Sequence, residues 1–519
     1  MISRIAAPVP GASLGIGTLA LLAYLAMTPA ASGDKDGSEF TLVLATLGAA
    51  HPTGYPLYTL AGHAFVRLAH ALGASWPFAA NAFSALGGAV AVGLLHALSS
   101  RLLRSAGVGA RPAAAVATLP AVAFGMNPVW TLEATLAEVY SWHVVWLLGV
   151  ALLAHRAAEV LVSAEKPVAA LRIAALGGLL GGVGLANHLT SVLISFPLGA
   201  ALLLAVARRG ALSAGVLAVG LGAFALGLSS VAYVFWRAWH PALVQWPMLA
   251  PETVWQHLLG AQYRGYVGRF APSELQRRLI SAHVYPWLAP VLLGLLSAPF
   301  TGSRAAPRDW RIAVAVATML LTAYVFSYGT PDPSPYFLPV LSLGLAVLPA
   351  WLVEAVPAAR RHGAWIAGIA AVALAVASIT WGRIGRERAA TYEQFDELVH
   401  RMWISVPFDE GFVIWGDDMV HRLWEYQLLR GERPGLIALS PAQLTYPRSH
   451  AAFVARHGFD PLAELPPLPP GVNDSSNRAL FEAIAARINT ASPLPVVLFD
   501  PAGPSVRLMQ KPASTPRKE

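Results

Sequence analysis

The stretch LTSVLISFPLGAALLLAV, residues 189–206, carries no charged side chain, and two different signals bound it. Asn187-His188 precedes it and Arg208-Arg209 follows it. An α-helix needs about 20 apolar residues to cross the hydrocarbon core of a bilayer. A polar turn at one end and an arginine pair at the other fit a span whose basic end faces the cytoplasm. The rest of the chain reads the same way. Its 519 residues are 56% hydrophobic and 12% charged, with a mean hydropathy of +0.54. Soluble domains carry about 25% charged residues, so this is a membrane composition. A net charge of +8 alone would suit a nucleic-acid partner. The basic residues sit instead in short clusters between apolar runs, as cytoplasmic membrane loops do, and no nucleic-acid partner is expected. The chain has no cysteine, which excludes disulfides, thiolate nucleophiles and Cys-ligated metals.

The same length criterion marks about eleven spans, near 11–30, 79–99, 112–127, 135–154, 169–186, 189–206, 211–235, 284–300, 312–328, 336–355 and 364–381. The first could be read as a signal peptide after Arg4, but its apolar stretch suits a full crossing and is long for a signal sequence. With the N-terminus in the cytoplasm, the inner loops hold Arg101, Arg104 and Arg111; His155, Arg156 and Lys166; Arg208 and Arg209; Arg304, Arg308 and Arg311; and Arg360 and Arg361. Every short basic loop then lies inside, and an odd number of spans leaves the C-terminal region outside. Residues 1–382 read as a transmembrane helical domain with an outer loop at 31–78. Residues 383–519 read as a small mixed α/β domain outside the membrane, with β-like runs at Gly411–Trp415 and Pro495–Phe499. Helix-like runs follow at Ala389–Trp403 and Met419–Arg430, and the last residues from Lys511 look disordered. There is no internal repeat of the kind that builds many secondary transporters.

Unusual polar residues gather on the outer face. The first outer loop has Asp34, Asp36 and Glu39, followed by His51-Pro52-Thr53-Gly54-Tyr55-Pro56-Leu57-Tyr58. Clustered carboxylates beside a low-dielectric medium can act as a general base or bind a cation; they can also be a solvated acidic loop. The dense Pro and Gly force a fixed turn that could hold His51 near the carboxylates. This broken stretch is expected to lie along the membrane surface, where Tyr55 and Tyr58 would serve equally as interface anchors. Glu138 stands at the mouth of an apolar helix, a costly place for a carboxylate unless it is partnered or stabilised by the helix dipole. Glu133 reads as structural. Asn187-His188 is either functional or an ordinary polar hairpin turn. Arg264 and Arg269 lie in an aromatic outer loop, where an arginine fork suits a lipid phosphate or simply anionic headgroups. No Walker, HExxH or GxSxG motif is present.

The first-loop pair, Asp36-Gly37-Ser38-Glu39-Phe40 followed by His51-Pro52-Thr53-Gly54-Tyr55-Pro56-Leu57, resembles the domain-of-unknown-function 2723 family, related to eukaryotic protein O-mannosyltransferases of GT-C architecture. Ala137-Glu138-Val139-Tyr140, Gly184 to His188, Gln262-Tyr263, Asp332 with Tyr336-Phe337-Leu338-Pro339, and Gly416-Asp417-Asp418 with Leu423-Trp424 and Tyr426 add weaker matches. Gly37-Ser38 reverses the family order, Thr53 replaces a proline, and Asp34 competes with Asp36 as the matching aspartate. The resemblance implies a GT-C-like helical bundle that moves a sugar from a polyprenyl-phosphate donor in the bilayer to a hydroxyl of a protein or glycan acceptor, with inversion. A first-loop carboxylate (Asp36, Glu39 or Asp34) would act as base with His51 nearby. Tyr55, Glu138, Tyr140, Asn187, His188, Tyr263, Arg264, Arg269, Asp332 and Tyr336 would form the substrate site. No cofactor is certain, and a divalent cation would suit the acidic cluster. The alternative class is a transporter or flippase for a lipid-linked or polar solute, which should carry polar residues at mid-membrane depth and on both faces. A purely structural membrane component would leave Glu39 and His51 without a role. The Ala- and Arg-rich composition suits a bacterial inner membrane with a periplasmic active face.

Overall fold

A computed structural model describes residues 10–33, 36–163, 166–297, 299, 306–330, 332–415, 420–463, 465, 478–500 and 505–511. Asp34, Arg304 and the Gly416-Asp417-Asp418 element lie outside the described residues, as does the tail after Lys511. The chain is predominantly helical because a bilayer leaves the backbone no hydrogen-bonding partner but itself. In order the helices are α1 (Pro10–Leu25), α2 (Asp36–Thr46), α3 (Pro56–Ala71), α4 (Trp76–Ser105), α5 (Ala110–Gly125), α6 (Pro128–Thr135), α7 (Tyr140–Ser163), α8 (Lys166–Asn187), α9 (Val192–Arg208), α10 (Ala214–Leu228), α11 (Ala232–Trp239), α12 (Val254–Leu258), α13 (Glu274–His283), α14 (Tyr285–Ser297), α15 (Arg308–Ser327), α16 (Leu338–Ala355) and α17 (Pro357–Ile404). Beyond them come β1 (Gly411–Trp415), α18 (Val420–Arg430), β2 (Leu436–Leu439), α19 (Pro441–Leu444), α20 (Pro447–His457), α21 (Arg478–Ala491), β3 (Val496–Asp500) and β4 (Ser505–Leu508).

Among the described residues, 7 helices are long and apolar enough to cross a membrane, or up to 9 when each bent pair counts as one span. The bent pairs are α5 with α6, at 72°, and α13 with α14, at 54°. The chain is a multi-pass integral membrane protein. Each of the eleven expected segments falls on a helix, but α1, at 16 residues, is short for a crossing. The helix α4 is the hub, packed against α1, α5, α7 and α16, and 78% of its apolar window is buried in protein. Helices α8 and α10 pack face to face, backbone against backbone. A Cβ on Gly182 would sit 2.1 Å from the Phe224 carbonyl, so only glycine allows this approach.

The longest helix, α17, has 48 residues and spans about 70 Å, more than twice the ~30 Å hydrocarbon core. It runs without a break through position 383 and delivers the chain to a four-stranded sheet of order β2-β1-β3-β4. Strand β1 is parallel to β2 and β3, and β4 is antiparallel to β3. The alternation of β1 serves two cores at once. Val413 and Trp415 pack with Trp403 of α17 and Leu423 and Tyr426 of α18. Phe412 and Ile414 pack with Phe453 of α20 and Ile484 and Ile488 of α21.

The first outer loop is packed against the rest of the protein. Nine of the eleven α2 residues are buried, Leu42 to Leu44 completely. Helices α3 and α4 cover α2 on one side and α18 of the C-terminal region covers it on another. Ser38 and Glu39 at its start thus become interior groups, which local apolarity could not reveal.

Candidate functional site

The helix α2 begins at Asp36, so Asp36 and Glu39 both stand in its first turn, where the helix dipole favours carboxylates. Spacing of i and i+3 puts them on one face. The turn after α2 brings His51 back to them. Its backbone N–H donates to Glu39 Oε1 at 2.6 Å, and its ring Nδ1 lies 2.9 Å from Glu39 Oε2. A carboxylate only accepts, so Nδ1 carries the proton of that bond and Nε2 faces the other way. His51 Nε2 lies 3.8 Å from Asp36 Oδ2 and 3.3 Å from the Tyr55 hydroxyl. Glu39 and His51 are buried, whereas the Asp36 side chain is 45% exposed. Burial alone would raise the Glu39 carboxyl. His51, through its charge and both its bonds, and His421 outweigh burial and hold that carboxyl below the usual range.

The turn is fixed by distant elements. Tyr233 of α11 donates to the carbonyls of Leu47 and Gly48, and Arg237 donates to Leu47. Ala49 N–H donates to the Val244 carbonyl at 3.0 Å, and Trp246 N–H donates to the Ala49 carbonyl at 2.9 Å. Gly54 has a φ of 81°, and a Cβ there would stand 3.0 Å from His257 Nε2. Burial, then the charge of nearby His51, pushes His257 down to about 3, so it is neutral at pH 7.

Beside this cluster stands an aromatic wall. The rings of Tyr55 and His188 are 5.9 Å apart, Tyr140 and His188 5.8 Å, Tyr140 and Tyr336 5.5 Å, and His188 and Tyr336 6.1 Å. Four expected residues from four separate segments therefore meet. Thr190 N–H donates to His188 Nδ1 at 3.3 Å, which puts the His188 proton on Nε2. Buried Asn187 has no hydrogen-bond partner for its Nδ2 among the described residues. Tyr263 joins the same electrostatic neighbourhood: burial, then the charges of Asp36 and Glu39, raises its phenol. Half-buried Glu138 is held through its backbone, which exchanges hydrogen bonds of 3.0 Å with the Ser84 hydroxyl, and its charge reaches Tyr55 and Tyr58. Asp332 is half-buried just before the 3-10 turn Ser334–Phe337 that carries Tyr336. Arg264 and Arg269 are exposed, and among the described residues no hydrogen bond or ion pair ties either to the cluster.

Several residues here escaped the sequence reading. Asn81 of α4 donates to the carbonyls of Pro29 and Ala31, at 3.1 and 3.0 Å, and accepts from Ala137 N–H at 2.8 Å. It thereby fastens the lead-in to α2 and the Glu138 segment to one helix. The signal available was a lone amide at the edge of an apolar span. On α18, Arg422 and Glu425 are buried, and His421 lines a small cleft with Glu39, Trp246 and Gln443, beside Trp424, which the family resemblance had already marked. Their i, i+3 spacing on an otherwise apolar helix face was visible; their target was not. Trp246, whose ring is 6.0 Å from His51, and His257 left no sequence signal.

Asp36, Glu39 and His51 also offer two oxygens and one nitrogen all within 4.8 Å of one another. Such a set can hold a divalent cation if Glu39 gives up its bond to Nδ1 or His51 turns Nε2 inward.

Residues 36–210, about a third of the chain, match the family model described as the protein O-mannosyl-transferase TMEM260 N-terminal domain. No curated protein matches the chain. Among solved structures, ArnT from Cupriavidus metallidurans bound to undecaprenyl phosphate superposes with a TM-score of 0.56 at 13% identity, over 95% of this chain and 94% of that one. ArnT of the same organism in the apo state gives 0.53 at 15% identity, over 93% and 91%. At these identities the likeness establishes fold, and it extends through the C-terminal region as well as the helices. The chain is a multi-pass membrane protein whose fold is similar to that of ArnT, and its first-loop acid and histidine cluster lies within the segment that matches the O-mannosyl-transferase domain model.

Proposed function

We propose that this protein is a glycosyltransferase that moves a sugar from a polyprenyl-phosphate donor to an acceptor hydroxyl at the face bearing the first outer loop. The observation that carries this reading is the Asp36–Glu39–His51 cluster at the start of a buried helix, on the fold of a protein crystallised with undecaprenyl phosphate. Asp36 is the base, because its carboxylate is the more exposed of the two and lies across from His51 Nε2. Glu39, bonded twice to His51, orients the imidazole. The acceptor O–H gives its proton to Asp36 as its oxygen attacks the anomeric carbon. The bond from that carbon to the phosphate oxygen breaks on the opposite side, and the polyprenyl phosphate leaves with inversion. Tyr55, Tyr140, His188 and Tyr336 supply an aromatic wall for the sugar, with Tyr263, Glu138, Asn187 and Asp332 at its edges. Arg264 or Arg269 neutralises the leaving phosphate. A divalent cation held by Asp36, Glu39 and His51 would supply Lewis-acid stabilisation of that phosphate. A lipid donor explains the membrane fold, since its tail stays in the bilayer while its headgroup meets the outer loop. The acceptor is a protein or glycan, and the active face is periplasmic in a bacterial inner membrane.

The test is transfer from radiolabelled polyprenyl-phosphate sugars by purified protein, with Asp36→Asn and Glu39→Gln alongside. Label should reach the acceptor with the wild type, and Asp36→Asn should lower the rate by about 10²–10⁴-fold. Lipid scrambling in vesicles without any transfer would replace this reading with a flippase.

A further inference from the structure

The helix α18 of the C-terminal region packs against α2 and the segment that leads into it. The Arg422 side chain is fully buried, and its Nη2 donates to the carbonyls of Ser32 and Gly33 at 2.8 and 2.9 Å. Its Nη1 donates to Asp396 of α17 at 2.8 Å, and Tyr426 donates to the same oxygen at 2.8 Å. One turn along α18, buried Glu425 accepts from the Ser32 hydroxyl at 2.6 Å. That hydroxyl also lies 2.9 Å from the Thr41 hydroxyl on α2. Ser32 and Gly33 directly precede the segment leading into Asp36. A buried Arg–Glu–Asp group adds little stability over apolar side chains of equal volume, because desolvation offsets the attraction. Its bonds here are spent on two consecutive residues of a loop almost 400 positions away, which is a means of fixing that loop.

We propose that Arg422 and Glu425 are positioning residues of the active centre, holding Ser32 and Gly33 so that α2 starts with Asp36 at a fixed place beside His51. The role in catalysis rests on the reading that Asp36 and Glu39 do the chemistry. Burial pushes the Glu425 carboxyl up to about 7 against the opposing pull of Arg422 and Ser32, consistent with a group held in place at an energetic cost. The lysine variant at position 422 keeps the charge but loses the planar fork that spans two carbonyls.

The experiment uses the full chain with Arg422→Lys, Glu425→Leu and Ser32→Ala, the last being mild enough to keep a folded protein. Two readouts are taken: kcat and donor KM, and amide hydrogen exchange of residues 31–46. The clamp predicts a kcat lower by about 10- to 100-fold, since a misplacement near 1 Å costs that much. Donor KM should stay within about twofold. Exchange in 31–46 should quicken by about tenfold while the sheet strands β1 and β3 stay protected. The double variant Ser32→Ala/Glu425→Leu should be no worse than Glu425→Leu alone, because Glu425→Leu already removes the acceptor of the Ser32 hydroxyl. Folded variants with wild-type kcat and exchange, or losses that multiply in the double variant, would overturn the proposal. Exchange needs no substrate: if the wild type turns over no donor, the glycosyltransferase reading fails, and quickened or unchanged exchange still decides whether the clamp exists.

Discussion

The helices α2 and α10 are both short, and their burial is the reverse of what their composition suggests. The α10 sequence has no polar residue between Ala214 and Leu228, yet only Val216 and Gly227 are buried, and Leu217, Leu221 and Leu226 are exposed. The α2 sequence opens with Asp-Gly-Ser-Glu, yet nine of its eleven residues are buried. In water this would be inverted. In a bilayer, hydrocarbon covers apolar surface as well as protein does, so the most apolar helix needs the fewest protein neighbours. Carboxylates and hydroxyls find no partner in lipid and must be enclosed where the protein supplies one. The polar start of α2 is enclosed where His51, Ser32 and α18 match it.

That contrast can be broken at several depths. The largest stability effect should come from Glu39→Ala, which strips His51 of both hydrogen bonds to that carboxylate. Loss of a buried partner of this kind costs about 3–5 kcal/mol, read by thermal or denaturant unfolding in detergent. The pH dependence follows from the sign of the shift. The Glu39 carboxyl is held below its usual value, so the unfolded chain binds the proton more readily and the contribution is complete above about pH 4.3. It is lost as pH falls through the folded value, so the gap between wild type and Glu39→Ala should close in acid; a gap that widens there would reverse the assignment. Glu425, with its carboxyl raised, has the opposite sign: its contribution falls as pH rises from about 4.3 towards 7.

Next in size is Asn81→Leu, similar in volume but unable to bond. It leaves the carbonyls of Pro29 and Ala31 and the Ala137 N–H unmatched, for a loss of about 3 kcal/mol and a looser start to α2. Gly182→Ala tests the other region. The α8–α10 contact must open to admit the methyl, at about 1–3 kcal/mol, but kcat of the protein that remains folded should not change. A fall in kcat would show that the two regions are coupled. Least of all, Leu221→Ala on the lipid face of α10, where the side chain is 70% exposed, should shift stability by no more than about 0.5 kcal/mol. A larger loss would mean that protein, not lipid, covers that face.

Of the residues that drew notice in the first loop, Asp36, Glu39 and His51 come together, and Asp34 lies outside the described residues. Asp36, Glu39 and His51 are close in sequence, and a Pro- and Gly-rich turn between two helices was enough to foretell their meeting. The wall of Tyr55, Tyr140, His188 and Tyr336 was legible only as separate polar or aromatic positions at membrane ends. Arg422 and Glu425 were legible only as charges on a helix. Asn81 passed as one more residue of a span.

The amino-acid sequence by itself determined that this chain lives in a membrane, where its long apolar helices fall, and which loop concentrates acid and histidine. Those properties depend on local composition, on period and on the fixed thickness of a bilayer, all of which act over about 20 residues. Tertiary structure alone decided that α2 is an interior helix, that Asn81 ties two loops to one span, and that α18 closes over the acidic cluster from almost 400 residues away. A hydrogen bond between distant segments depends on the path of the whole chain, and no local rule of propensity or charge contains that path.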